Sequence, residues 1–445
     1  MLSKPKRGKE VFVAEKIVHR GKVVTAAGTG INLALGVLYT WSIFKVAIRQ
    51  SIEEGGAGAF TWDLASLNDP YAVCCLVFAC SMIIAGKCQD ILGPRVAAVI
   101  GGVLVGAGFI WISQTTAYIS WIFGFGVLVG TGIAFGYSSA TPPALKWYSP
   151  AKTGAVAGIV VSGFGLASLY IAPLAQYLLN IWGLQDTMLF FGVTFLIVMV
   201  ILSRFLINPP EGYVPEGFVE RRGATDIGLV ARETFEEANL APSQVIKTPS
   251  FWLLWTLYFI GAGAGLMVIG SVAGMAKSSL GENAFLAVAI LAVGNAGGRV
   301  AAGMISDRIG RTRTLAGVFI LQALFMFATV PVLRGGDPSA FLLVFLSTMI
   351  GFNYGANLAL FPSFAKDFWG IKNFGVNYGI LFTAWGTGGF IMSRVSQSLI
   401  AGTGTFTRAF VLAGILLAAG MLLSFLLKDK KDLTRREIAK RLSAT

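Results

Sequence analysis

Twelve windows of about 20 mostly apolar residues divide this chain of 445 residues. A helix of that length crosses the ~30 Å hydrocarbon core of a bilayer, and lipid offers no partner to a backbone N–H or C=O. A chain carrying so many such windows is therefore confined to an all-α membrane fold with twelve transmembrane helices. The expected spans are 24–47, 70–88, 96–115, 119–145, 153–179, 186–207, 251–276, 284–305, 314–333, 339–362, 375–399 and 406–427. Charged residues make up 13% of the chain, against about 25% in soluble domains, which fits a lipid environment. The net charge of +13 invites a nucleic-acid partner. The basic residues lie between spans and form no separate domain, so they read as topology signals and no nucleic acid is expected.

If the N-terminus is cytoplasmic, 28 of the 35 Lys and Arg residues fall on the inner side and 5 on the outer, with Arg299 and Arg394 inside spans. An inner excess of Lys and Arg is the usual bias, so both termini are expected inside, in the cell inner (plasma) membrane. The segment 208–250 carries Pro209, Pro210 and Pro215 among mixed charges and is the one long polar connection. It reads as a linker between two halves. The expected organisation is a cytoplasmic tail 1–23, a six-helix bundle 24–207, a cytoplasmic linker 208–250, a second six-helix bundle 251–427 and a cytoplasmic tail 428–445. The basic stretch 11–22 reads either as a segment along the anionic inner leaflet or as a solvated topogenic tail. The first span is too long for a signal-peptide core, so no cleaved leader is expected.

Cys74, Cys75, Cys80 and Cys88 fall in or beside one span without zinc-ligand spacing, and the single histidine, His19, lies in the basic N-terminal segment. Buried inert thiols are expected, and neither a metal centre nor a cofactor is.

A pattern repeats along the chain. Gly86, Asp90 and Gly93 read G-x-x-x-D-x-x-G, as do Gly303, Asp307 and Gly310, 217 residues later. Gly132, Gly136 and Pro143 recur as Gly351, Gly355 and Pro362, and Gly154, Gly158 and Gly165 recur as Gly375, Gly379 and Gly386. Three matches in one order at nearly constant offset argue for two parallel repeats. In each basic turn the aspartate sits at a helix end, where it can pair with arginine or cap a neighbouring helix terminus. Asp90 with Arg95, and Asp307 with Arg311, are thus candidate gating residues. The glycines at four-residue spacing serve either close helix packing or sliding between conformations.

These paired turns resemble the loops between helices 2–3 and 8–9 of the major facilitator superfamily. The resemblance implies two pseudo-symmetric six-helix bundles, the major facilitator fold. A narrower resemblance covers most of the chain outside the tails and linker. L-G-V-L-Y-T-W-S (35–42), A-L-K-W-Y-S-P (144–150), N-A-G-G-R (295–299) and N-Y-G-I-L-F-T-A-W-G (377–386) resemble the oxalate/formate antiporter family, which is related to the monocarboxylate transporters.

In the eighth span Asn295 and Arg299 are four apart and share a face. An arginine in an apolar span costs roughly 2.5–3.5 kcal/mol on insertion scales, so it is a functional candidate; the alternative is a structural arginine bonded to carbonyls. In the resembling family the helix-8 arginine binds the substrate carboxylate, and Arg299 occupies its position. A guanidinium makes a planar two-pronged pair with a carboxylate, so the chemistry fits. Oxalate carriers of that family also use a helix-11 lysine. Here its place falls at or beside Trp385, and the eleventh span has no lysine. One arginine balances one carboxylate, so a small monocarboxylate (lactate, pyruvate, formate or acetate) is expected over oxalate. Arg394, about 13 Å further along the helix, reads as snorkelling to the outer interface rather than as a second substrate cation.

Other candidates line up around this residue. Asn353 and Asn357 sit i and i+4 in the tenth span, Asn32 and Tyr39 in the first, and Tyr137 in the fourth. The resemblance places Tyr39 and Tyr137 among aromatic cavity residues. These amides and hydroxyls can bond a carboxylate or an α-hydroxyl, or can make interhelical bonds. Phe382 and Trp385 either wall the substrate or pack as ordinary aromatics.

The implied mechanism is alternating access by rocking of the two halves around a midplane site. No Asp, Glu or His falls near the middle of a span. A bare guanidinium should hinder closure and a bound anion should ease it, which favours anion exchange. Proton-coupled monocarboxylate symport, oxalate/formate exchange and a non-transporting carboxylate sensor remain as alternatives. An enzyme is not expected, because the sequence lacks a nucleophile–base set, a metal-ligand cluster and a nucleotide loop. A monomer in the lipid bilayer is expected.

Overall fold

The computed structural model describes residues 7–427 except 57, 64–65, 68, 150–151, 211–212, 214–238, 281–283, 335–338, 371 and 404. The expected C-terminal tail 428–445, the first six residues of the N-terminal tail and most of the linker lie outside the described residues.

The described chain is almost wholly helical, and its helices follow the apolar windows. The first, α1, runs Arg7–Leu35, tightens through a 3₁₀ turn at Gly36–Thr40 and continues as Trp41–Glu54. Then come α2 (Asp69–Leu92), α3 (Pro94–Ile112) and α4, which starts at Tyr118–Trp121, widens into a π-helical stretch at Ile122–Val129 and ends as Gly130–Lys146. The stretch Thr153–Ser203 breaks at Gly183, whose φ of 75° only glycine adopts readily, so it forms two helices, α5 (153–182) and α6 (184–203). The second half holds α7 (Pro249–Leu280), α8 (Ala284–Ile309), α9 (Arg311–Arg334), α10 (Ala340–Trp369), α11 (Phe374–Thr403) and α12 (Thr407–Ser424). Ten stretches are long and apolar enough to cross a membrane; dividing one at Gly183 and adding α11 gives twelve helices of membrane-spanning length among the described residues, beside a single short turn of helix at Pro242–Val245.

Several boundaries differ from the apolar windows. The helix containing the first span begins at Arg7, and α10 extends to Trp369, beyond the expected end at 362. Helical hydrogen bonding continues past the point where hydropathy falls, because polar residues at a membrane surface still form good helices. Cys74 and Cys75 are buried, whereas Cys80 is exposed. At 3.6 residues per turn Cys80 points roughly 140° away from Cys75, onto the outer face of α2.

The outward faces are apolar: Val103, Ile197, Leu324 and Leu422 are all exposed. A helix hydrophobic on every side belongs in a core or in lipid, and these faces need lipid to cover them. The two halves meet chiefly where α2 lies on α11 and α5 lies on α8. Glycine permits both approaches. A methyl group on Gly86 would stand 2.1 Å from the Gly375 carbonyl oxygen, and one on Gly154 would stand 2.4 Å from that of Gly303. The two seams are pseudo-equivalent, since Gly86 and Gly303 open the two copies of the repeat. Both copies also end on a left-handed glycine, Gly93 at φ 86° and Gly310 at φ 98°.

Candidate functional site

Arg299 lies near the middle of α8 and is fully buried. Its Nε donates to Oδ1 of Asn295 at 2.9 Å, one turn earlier, as the i,i+4 spacing anticipates. Nη1 donates to the carbonyl oxygen of Val161 on α5, across the seam between the halves. Nη2 has no partner. Arg299 takes part in no ion pair among the described residues, so no carboxylate there neutralises it. The guanidinium is thus held in place by the neutral oxygens of Asn295 and Val161, with no counter-charge beside it among the described residues. That arrangement attracts an anion and supplies N–H donors to hold one.

The guanidinium lines a narrow cavity with Tyr39, Phe78, Tyr137, Phe164, Leu358, Phe382 and Trp385, drawn from both halves. The rings brace one another: Phe382 stacks on Trp385 at 5.0 Å, Tyr39 meets Phe164 edge-on at 5.1 Å, and Phe78 touches Phe382 at 5.0 Å. The space between them takes about one water molecule. Only a small ligand suits such a cavity, and the walls must part to admit it.

A hydrogen-bonded chain closes one wall. The Trp385 indole N–H donates to the Tyr354 hydroxyl at 2.9 Å, and the Tyr354 and Tyr39 hydroxyls are 2.8 Å apart. An indole can only donate, so Tyr354 accepts there and its own proton is free for Tyr39. The Tyr39 proton is then available to the cavity it shares with Arg299. Tyr354 went unrecognised in the sequence, where a tyrosine in an apolar helix looks like any packing aromatic. So did Phe78, Phe164 and the Val161 carbonyl, which carry no distinguishing pattern.

The other anticipated residues divide. Tyr39, Tyr137, Phe382 and Trp385 line the cavity. Asn295 touches Arg299 but does not line it. Asn32 donates to the Val160 carbonyl at 2.8 Å and ties α1 to α5. Asn353 donates to Met349 in its own helix at 2.9 Å, and Asn357 donates to the Asn353 carbonyl at 3.1 Å. None of these three asparagines lines the cavity around Arg299. Arg394 is exposed, with its guanidinium 5.4 Å from the centre of the Phe390 ring, so it faces away from the cavity.

The repeated aspartates make matching contacts at one end of the bundle. Asp307 accepts from the backbone N–H groups of Gly154 and Ala155 at 3.0 and 2.9 Å, in the first turn of α5. Asp90 accepts from those of Gly375 and Val376, both at 3.2 Å, in the first turn of α11. Each carboxylate of one half therefore caps a helix of the other, where free N–H groups and the helix dipole favour negative charge. The two caps differ in their support. Arg311 joins Asp307 at 2.6 Å, Ser306 at 2.6 Å and Asp367 at 3.1 Å. Arg95 gives Asp90 no such help: Pro94 holds the position that Arg311 holds in the second copy, so Arg95 stands one residue further from its aspartate, and its Nε donates to the Leu206 carbonyl at 3.1 Å.

Comparison with known proteins bears on what this geometry is for. A family model described as Major Facilitator Superfamily matches residues 23–393, with a second match over 279–443. The oxalate:formate antiporter of Oxalobacter formigenes is 26% identical over 85% of this chain and 84% of its own length. Human monocarboxylate transporter 11 is 25% identical over 74% of this chain and 67% of its own. Among solved structures, a proton:xylose symporter bound to 6-bromo-6-deoxy-D-glucose superposes with a TM-score of 0.70 at 13% identity, covering 92% of this chain and 96% of that one.

Proposed function

We propose that this chain, which belongs to the Major Facilitator Superfamily, moves small carboxylate anions across a membrane, with Arg299 as the residue that holds them. The observation that carries this reading is a fully buried guanidinium with an unpartnered Nη2, no neutralising carboxylate among the described residues, and a small aromatic cavity in front of it. The relatives point the same way, since one exchanges oxalate for formate and another is a monocarboxylate transporter by name.

The favoured cargo is a monocarboxylate such as lactate, pyruvate, formate or acetate. The cavity offers one cation, Arg299, and its other polar groups are the neutral Tyr39, Tyr137 and Trp385. One guanidinium neutralises one carboxylate; a dianion would carry an unbalanced charge into a low-dielectric space. The bound carboxylate takes Nη2 of Arg299 and the Tyr39 hydroxyl as donors, while Phe382 and Trp385 exclude water.

The same charge argument favours exchange. With no anion bound, closing the halves around Arg299 buries a bare cation; with one bound, the charge is offset and the barrier falls. Asp90 and Asp307 act as clasps that hold one end shut while the other opens. That end is read as cytoplasmic, with both termini inside an inner plasma membrane, residues 24–207 and 251–427 as the moving halves and 208–250 as their linker. The working unit is read as a monomer.

The test uses the full chain in proteoliposomes, with labelled lactate outside. Uptake should require unlabelled carboxylate inside. Uptake into empty vesicles driven by a pH gradient would support proton symport instead, and binding without flux would support a sensor.

A further inference from the structure

A group of buried hydroxyls extends away from the Arg299 cavity and shares only Tyr137 with it. Tyr137 on α4, Tyr258 on α7 and Tyr378 on α11 are 3%, 0% and 4% exposed. Their rings gather around Phe382, with centroids 5.6, 6.1 and 5.7 Å from it. None of the three hydroxyls, nor the buried Thr141 Oγ1, makes a hydrogen bond of normal geometry; the Tyr378 hydroxyl only approaches those of Tyr137 and Tyr258 closely enough for a weak interaction. An unpaired buried hydroxyl costs about 1–3 kcal/mol, and phenylalanine would fill each tyrosine position without that cost. Hydroxyls converging from helices of both halves thus form a cluster of unused donors.

They also have a place to act. A second small cavity lies beside the first and shares Tyr137 with it. Ser138, Thr141 and Tyr378 supply its polar lining, and Phe374 and Gly375 form its far wall. Gly375 is the residue whose N–H is capped by Asp90. The order across the protein is therefore Arg299, then the Tyr137–Phe382 partition, then the hydroxyl cavity, then the Asp90 clasp. Ser138 already donates to the Phe135 carbonyl at 3.1 Å, which leaves Tyr137, Thr141 and Tyr378 as the free donors. The cavity lining contains no charged side chain, so an anion there is held by neutral donors and more weakly than at Arg299. A weaker second stop is what passage requires, because a ligand must be able to leave as well as enter.

We propose that Tyr137, Thr141 and Tyr378 form a second, transient station for the carboxylate, occupied after it leaves Arg299 and as the Asp90 clasp releases α11. This rests on the reading of Arg299 as the primary carboxylate site. Tyr258, from α7, packs its ring against Phe382 behind this group and lines neither cavity. The station accounts for hydroxyls that weaken the folded state yet point into a cavity on the way to one end of the bundle.

The experiment compares wild type with Tyr378→Phe and Thr141→Val, full chain, using formate and lactate as probes. Equilibrium binding in detergent and exchange rate in proteoliposomes are both measured. Each variant should melt at the wild-type temperature or above it, since an unpaired hydroxyl has been removed. Binding should stay within about twofold of wild type, while exchange slows by about fivefold or more, the size of one hydrogen bond lost from an intermediate step. Normal exchange in both variants overturns the proposal. A parallel fall in affinity and rate also overturns it, because the hydroxyls would then belong to the Arg299 site. If one variant fails to fold, Thr141→Ala replaces it with the same expectation. Failure of the primary reading looks different: Arg299→Lys would then bind both probes as wild type does, and the station falls with it.

Discussion

The Nε of Arg299 donates to Oδ1 of Asn295 at 2.9 Å within one turn of α8. Asparagine is the residue that orients this guanidinium without cancelling it. A carboxylate at the same place would hold the side chain equally well but would leave no net charge for a ligand.

Asn295→Asp should therefore abolish carboxylate binding while preserving the fold. The new carboxylate sits within reach of Nε and forms an internal pair, so lactate affinity should fall by roughly two orders of magnitude, the scale of one buried charge interaction. Titration calorimetry on the detergent-solubilised chain reads the affinity, and near-wild-type melting shows that the fold is intact. Retained affinity would mean that the anion does not depend on an unneutralised Arg299.

Trp385→Phe keeps an aromatic wall but removes the N–H that polarises Tyr354 and, through it, Tyr39. Loss of one buried neutral hydrogen bond is worth about 0.5–1.5 kcal/mol, so affinity should fall roughly threefold to tenfold. Combined with Tyr39→Phe, the Trp385 change should cost nothing further, because its effect passes through the Tyr39 hydroxyl. Additive losses in this double-mutant cycle would assign Trp385 to packing alone.

The two clasps should not be equal. Asp307→Ala leaves a buried Arg311 with Asp367 as its one remaining ion-pair partner and Ser306 as a neutral acceptor, whereas Asp90→Ala removes a cap with no arginine behind it. Breaking a buried pair costs about 3–5 kcal/mol, and losing a helix cap about 1. Asp307→Ala should lower the melting temperature distinctly more than Asp90→Ala. Both should increase labelling of a cysteine replacing Val376 or Ala155, the non-glycine residues capped by the two clasps, by a membrane-impermeant reagent added from the side where the clasps lie. Equal destabilisation would show that Arg311 does not reinforce its clasp.

Much of this arrangement could be read from the residues, and the limits have physical causes. Apolar windows announce membrane helices because lipid tolerates little else, so the twelve helices were legible, including the two that Gly183 divides. The paired Asp90 and Asp307 turns were legible because the repeat copies charge and glycine together. Four-residue spacing correctly joined Asn295 to Arg299. The same spacing in Asn353 and Asn357 says only that two side chains share a face, and neither of them lines the cavity around Arg299. A basic residue after each aspartate suggests equivalent pairs, yet Arg95 lies five residues past Asp90 where Arg311 lies four past Asp307, and it bonds Leu206 instead. Tyr354 was invisible because its role depends on Trp385 and Tyr39, which reach it from other helices.

The glycines offer a controlled comparison. A methyl group on Gly86 meets the Gly375 backbone at 2.1 Å, whereas nothing lies within 4 Å of the same group on Gly317. Gly86→Ala should push α2 off α11 and slow exchange severely. Gly317→Ala should exchange normally and gain up to about 1 kcal/mol from helix propensity. Normal exchange in Gly86→Ala would remove the tight α2–α11 seam from the mechanism.

The most direct test of the central claim is equilibrium binding of lactate, formate and acetate to the purified full chain, with wild type, Arg299→Lys and Arg299→Gln side by side. The account predicts saturable binding of at least one of these anions to wild type. It predicts roughly tenfold or greater weakening in Arg299→Lys, which keeps the charge but loses the fork, and no measurable binding in Arg299→Gln. Wild-type affinity in either variant, with its fold intact, would contradict it.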